Sequence, residues 1–135
     1  MNGKEREGKI HRRLKVWQRS MDLVVEIYRT LKTFPPQERF NLTEQMRRSV
    51  TSVPSNIAEG AARTSPREKL QYWSVARGSL SELDTELEIA LRLGYLDKRS
   101  YDGLADILDE VDRMLSGLMR SKRMEGEKKE GMKYG

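Results

Sequence analysis

The chain has 135 residues, a size suited to one domain, and 36% of them are apolar against 35% charged. The charged share exceeds the usual quarter, which suits long amphipathic helices and excludes a parallel sheet buried on both faces. There is no cysteine, so disulfides and thiolate metal sites are excluded and a reducing, cytoplasmic setting is expected; no apolar run reaches the roughly 20 residues of a membrane helix, and residues 1–15 lack the apolar stretch of a signal peptide.

The formal net charge of +5 is unevenly spread. Residues 1–15 carry six Lys/Arg and two Glu, and residues 119–135 carry six Lys/Arg and three Glu. Between them, residues 16–77 net +4 and residues 78–118 net −6. The basic pI therefore belongs largely to the two ends, and the body is expected to have a basic and an acidic region. That division serves nucleic-acid binding, and it equally serves self-association between unlike faces.

Residues 1–14 and 124–135 are rich in Lys, Glu and Gly, with little to bury, and are expected to be flexible tails. The span 15–123 is expected to be a bundle of four helices. The first runs from about Lys15 to Thr33, with Trp17, Met21, Val24, Tyr28 and Leu31 spaced 4, 3, 4, 3. Val16, Leu23, Val25 and Ile27 widen its stripe, and Pro35 and Pro36 stop it.

A short turn from Pro36 to Phe40 precedes the second helix. Asn41 is placed to cap it, with Glu44 three residues on as in a capping box. Leu42, Met46, Val50, Val53 and Ile57 form the stripe. Pro54 lies inside it at a cost of about 3 kcal/mol, so a kink is expected, with Thr51 or Ser55 hydroxyls serving the freed backbone groups. The third helix opens on Ser65-Pro66-Arg67-Glu68, an N-cap serine, a first-turn proline and a capping-box glutamate. Trp73, Ala76, Leu80, Leu83, Leu87 and Ala90 follow at 3, 4, 3, 4, 3, and Gly94 ends the helix. Asp97 caps the fourth helix, whose stripe is Leu104, Ile107, Leu108, Val111, Leu115 and Leu118, fading over Ser121–Met124. The short connections predict antiparallel sequential neighbours.

Several segments exceed generic helix pattern. Val16-Trp17 opens the first helix and Phe34-Pro35 closes it. Gln45-Met46-Arg47-Arg48 precedes Val53-Pro54-Ser55-Asn56-Ile57-Ala58-Glu59-Gly60, and Leu93-Gly94-Tyr95-Leu96 follows at a fixed distance. This ordered set, over residues 14–122, resembles the four-helix-bundle family encoded in intervening sequences of bacterial 23S rRNA genes. The resemblance implies an all-α, antiparallel up-down four-helix bundle, its second helix the one expected to kink at Pro54. It also implies a ring-shaped homo-oligomer, a pentamer in relatives. The rRNA-gene context, with similarity to the accessory bundle protein of diversity-generating retroelements, points toward nucleic acid by association.

No catalytic constellation is expected, and no cofactor or metal. His11 is the single histidine and lies in a basic segment; the Glu-x-x-His pairs of di-iron bundles are absent. Glu82, Asp84, Glu86 and Glu88 are expected to form a solvated acidic run, and Gly78 is expected to permit close helix packing. Asn56 and Glu59 flank Ile57 and are expected to hydrogen-bond across to Ser79 and Glu82, setting helix register; a ligand or subunit contact is the alternative. Trp17 and Trp73 fall on core stripes and are expected to pack there, not to stack on bases.

The basic residues are the candidates for function. Arg12 and Arg13 precede the first helix, Arg47 and Arg48 sit on the second, and Arg63, Arg67 and Lys69 flank the turn into the third. Arg120, Lys122 and Arg123 end the fourth. Such side chains bind phosphates without base specificity and with strong salt dependence. The expected protein is a non-catalytic, cytoplasmic homo-oligomer, without a membrane segment, that binds RNA or DNA through basic surface and tails. The alternative is a protein–protein scaffold that does not touch nucleic acid.

Overall fold

The computed structural model describes residues 2–134, and among them every regular element is helical. Helices α1 (Gly3–Glu7) and α2 (Ile10–Arg13) are short; α3 (Lys15–Leu31), α4 (Leu42–Ala61), α5 (Pro66–Arg92) and α6 (Lys98–Tyr134) are long, and a 3-10 turn covers Pro36–Glu38. The four long helices form a bundle in which α3 packs on α4, α4 on α5, α5 on α6 and α6 on α3. Helix α2 lies across α3 and α4. Within the segments expected as tails, Gly3–Glu7, Ile10–Arg13 and the run of α6 through Tyr134 are helical, while Met1 and Gly135 lie outside the described residues. No helix among the described residues is long and apolar enough to cross a membrane.

The α4 and α5 stripes expected from spacing are all buried, from Leu42 through Ile57 and from Trp73 through Ala90. Helix α3 differs. Its buried stripe is Val16, Ser20, Leu23, Ile27 and Leu31, while Met21, Val25 and Tyr28 are exposed. Two apolar stripes run side by side here: of the expected one Leu31 is buried and Trp17 and Val24 are partly buried, while Val16, Leu23 and Ile27, expected to widen it, carry the core with Ser20 among them. The serine fits because its hydroxyl donates to the Trp17 carbonyl at 2.7 Å, leaving no unsatisfied group in the core.

Helix ends follow local chemistry. Ser65 accepts from the Glu68 N–H at 3.2 Å, and Asp97 accepts from the Ser100 N–H at 2.7 Å. Gly94, at φ +78°, lets the Tyr95 N–H reach the Ala90 carbonyl and its own N–H reach that of Leu91, a Schellman closure. Asn41 does not cap α4 with its side chain, which accepts from Gln45 instead; the Glu38 carboxylate takes the Leu42 N–H at 3.2 Å. Helix α4 runs unbroken through Pro54. The Thr51 and Ser55 hydroxyls donate to the Arg47 and Thr51 carbonyls, not to Val50, whose carbonyl loses its N–H partner to the proline.

The tightest contact joins α4 to α5. The Trp73 indole lies on Gly60, where a Cβ would overlap the ring, and its Nε1 donates to the Ile57 carbonyl at 3.1 Å. Gly60→Ala is expected to destabilise the protein by about 1–3 kcal/mol through overpacking, although alanine is the better helix former by about 1 kcal/mol. Gly103→Ala, where nothing lies within 4 Å of the new methyl, is expected to stabilise by about 0.5–1 kcal/mol. Urea midpoints of the two variants, moving in opposite directions, check the pair.

Candidate nucleic-acid interface

Three basic segments distant in sequence meet at one end of the bundle. Helix α2 reaches α4, where Lys9, Ile10 and His11 line a depression with Ala58, Glu59 and Ala62. On the other side of the α4–α5 turn, Arg67 and Leu70 line a groove with Arg123 and Glu127 of α6. Lys69 lies between, close enough to Lys122 and Glu125 to feel both charges. Segments 9–15, 59–69 and 120–128 together hold eleven Lys/Arg and four Glu, a net +7 against +5 for the whole chain. The remainder of the molecule is therefore slightly acidic, and the positive field belongs to this end.

The expected basic residues divide by what they touch. Arg63 donates to Glu59 at 3.1 Å and to the Tyr72 hydroxyl at 2.9 Å, with its guanidinium 4.8 Å from the Tyr72 ring centre. Lys69 points its ammonium at the last α4 carbonyls, reaching that of Ala61 at 3.1 Å, where the negative end of the helix dipole favours a cation. Burial there, and secondarily the Lys122 charge, lower its pKa. Both residues hold the α4–α5 turn. Lys122 pairs with Glu125 at 2.9 Å. Arg67, Arg123, Arg13, Lys15 and Arg120 are exposed and carry no ion pair among the described residues.

Arg12 lies 5.4 Å from the Trp17 ring centre, and His11 meets the same indole edge-on at 5.0 Å. Trp17 is thus a half-buried post on which the α2 segment rests. Burial, then the charges of Arg12 and Lys9, lower the His11 pKa. Arg47 and Arg48 stand apart in the first half of α4 and share the Glu44 carboxylate at 3.2 and 3.1 Å. The structure does not bring them to the basic end.

The expected polar network takes a different shape. Asn56 Nδ2 donates to the Ser52 carbonyl at 2.8 Å and to Ser52 Oγ at 3.0 Å, and Ser79 Oγ meets Ser52 Oγ at 2.8 Å. Asn56 and Ser79 are therefore joined through Ser52. Glu82 is bridged to α4 by Ser49 at 3.4 Å, while Glu59 faces outward to Arg63. Ser49 and Ser52 are absent from the expected network, and Glu86 is expected in a solvated run. Their signal was present: Ser49, Ser52, Asn56 and Ser79, Glu82, Glu86 each recur at 3 and 4, two matching polar stripes. Glu86 is not part of a solvated run, because residues two apart on a helix point in nearly opposite directions. It is 7% exposed, and its Oε1 is buried without a hydrogen-bond partner.

Residues 12–117 match the family described as 23S rRNA-intervening sequence protein. A solved protein of unknown function from the S23 ribosomal protein family of Bacteroides thetaiotaomicron shares the fold, with a TM-score of 0.72 and 24% identity over 77% of this chain and 97% of that one. No curated protein matches.

Burial raises the Glu86 pKa, the nearby Ser49 hydroxyl opposes it, and the Glu82 charge raises it further. An acid whose folded pKa exceeds its unfolded value binds more protons in the folded state. Its contribution to stability is therefore gained as pH falls through the folded pKa and levels off below the unfolded one. Glu86→Gln is expected to raise the urea midpoint at pH 7 and to flatten the gain that the wild type shows on mild acidification. A lower midpoint at pH 7 with the acid gain intact would contradict this account.

Proposed function

Because the chain belongs to the 23S rRNA-intervening sequence protein family, we propose that it is a non-catalytic, homo-oligomeric bundle protein of the cytoplasm that binds RNA or DNA through its basic end. The observation that carries this reading is the gathering of three basic segments on one end of an otherwise slightly acidic molecule. Scattered solubility charges would not need three separate stretches of chain to converge. Arg13, Lys15, Arg67, Arg120 and Arg123 are the phosphate ligands in this reading. Arg12, Arg63 and Lys69 support them by fixing the α2 segment and the α4–α5 turn. Arg47 and Arg48, tied to Glu44, add a secondary contact along α4.

The proposal includes an antiparallel up-down course and a ring of subunits, five by family resemblance. The closed circuit of helix contacts, each helix beside its chain neighbours, supports the course. Exposed apolar side chains on two helices support the ring: Met21, Val25 and Tyr28 on α3, and Val75 and Ile89 on α5, with Leu93 just past its end. Gly78, on the Val75–Ile89 face, has nothing of its own chain within 4 Å of a built Cβ, so it does not serve the close helix packing expected of it. A ring needs two different complementary faces on each subunit, and α3 and α5 supply them. Repetition of the basic end around such a ring adds avidity.

A scaffold that contacts only protein is the second reading, favoured by Phe40, 85% exposed at the turn before α4. Binding to structured RNA and to duplex DNA across a salt series separates the two. The full chain is expected to bind with a steep negative salt slope, and Arg13→Glu with Arg120→Glu to weaken binding about tenfold while leaving the oligomer mass unchanged. No binding even at about 50 mM salt would remove the nucleic-acid reading. A single dominant protein captured after nuclease treatment would then favour the scaffold.

A further inference from the structure

We propose that the groove between the first turns of α5 and the late part of α6 seats a backbone phosphodiester of the bound nucleic-acid strand, with Arg67 and Arg123 reaching it from the two walls. The inference rests on the nucleic-acid reading and gives it a defined seat. Arg67, Gln71 and Ser74 come from α5, and Arg123 and Glu127 from α6. A Cβ built on Gly126 would lie 3.7 Å from Pro66, so the two helices come close at the base of the groove.

The cations at this end differ in what occupies them. Arg63, Lys69 and Lys122 each have a carboxylate, hydroxyl or carbonyl partner. Arg67 and Arg123 have none among the described residues, and these are the two that line the groove. Two planar guanidiniums offer paired donors matched to phosphate oxygens. Gln71 and Ser74 add neutral donors one and two turns further along the α5 wall. Among the described residues Glu127 is the one acid that lines the groove, four residues beyond Arg123, and an exposed carboxylate there competes only weakly with a phosphate. The α5 N-terminus, its Glu68 N–H already held by Ser65, adds a favourable dipole.

The groove combines two parts of the chain with different standing. Arg67 lies within the segment that matches the family, residues 12–117, and Arg123 lies beyond it. The α6 wall exists because the helix continues after its apolar stripe fades, with Lys122–Glu125 among the pairs that sustain it.

The test uses the full chain, a labelled single-stranded uridine oligonucleotide, and a salt series. Arg67→Gln with Arg123→Gln is expected to lower affinity about tenfold and to reduce the slope of log affinity against log salt by about 0.7, the loss of one phosphate contact on a single strand. Glu127→Gln is expected to tighten binding, which damage to the fold would not do. Circular dichroism and the thermal midpoint should match wild type in both variants. Wild-type affinity and slope in the arginine variant would overturn the groove while leaving the nucleic-acid reading in place. If the wild type binds no oligonucleotide at low salt, both fall. Inorganic pyrophosphate bound without any RNA or DNA binding would also overturn the proposal, making the groove a small-anion site.

Discussion

The Trp73 indole can lie flat in the α4–α5 seam only because residue 60 has no side chain. That single steric allowance sets the approach of the two helices at the end where α4 finishes. The Trp73 Nε1 bond to the Ile57 carbonyl then fixes the ring's depth. With the seam closed there, the α4–α5 turn is short, Lys69 reaches back to the last α4 carbonyls, and Arg63 folds against Tyr72. The basic turn is thus built on packing, and its outward cations, Arg67 above all, are displayed by a rigid support.

The same seam carries polar residues further along. Ser52 links Asn56 to Ser79, and Ser49 links to the Glu82 side, so α4 and α5 are held in register by groups that must be paired to be buried. A one-residue slip of either helix would strand several of these atoms. Glu86 is the exception, with one carboxylate oxygen buried and unpartnered. Such a group opposes stability at neutral pH, which is a modest cost when the stripes on either side, Val50, Val53, Leu83 and Leu87, are fully buried.

Charge separates the two ends of the bundle in a way that composition alone does not convey. The end built from α2, the α4–α5 turn and late α6 gathers the positive residues, while the α5 and α6 mid-sections hold the acids. Most cations at this end that are buried or half-buried have local partners, and the free ones are exposed. That is the distribution expected of a surface that binds polyanions without base specificity, since the unpaired guanidiniums are the ones free to replace counterions. Apolar side chains also remain exposed on α3 and α5.

Helix class and the four long helices were legible in the sequence, because a 3–4 spacing of apolar residues, Ser65-Pro66 and Gly94 each act through contacts within a few residues, whereas the short helices α1 and α2 and the run of α6 to Tyr134 were not. The α4 and α5 core stripes were legible for the same reason. The α3 stripe was not: two adjacent apolar faces compete, and only the position of the neighbouring helices decides which is buried. The capping of α4 by Glu38, the burial of Glu86 and the escape of Glu59 from the polar seam are likewise decided by geometry between elements. So is the site. The sequence by itself determined that Arg67 and Arg123 are cations on amphipathic helices. Only the tertiary structure, by folding residues 56 positions apart against each other, decided that they share a groove, because charge proximity is a property of packing and not of spacing along the chain.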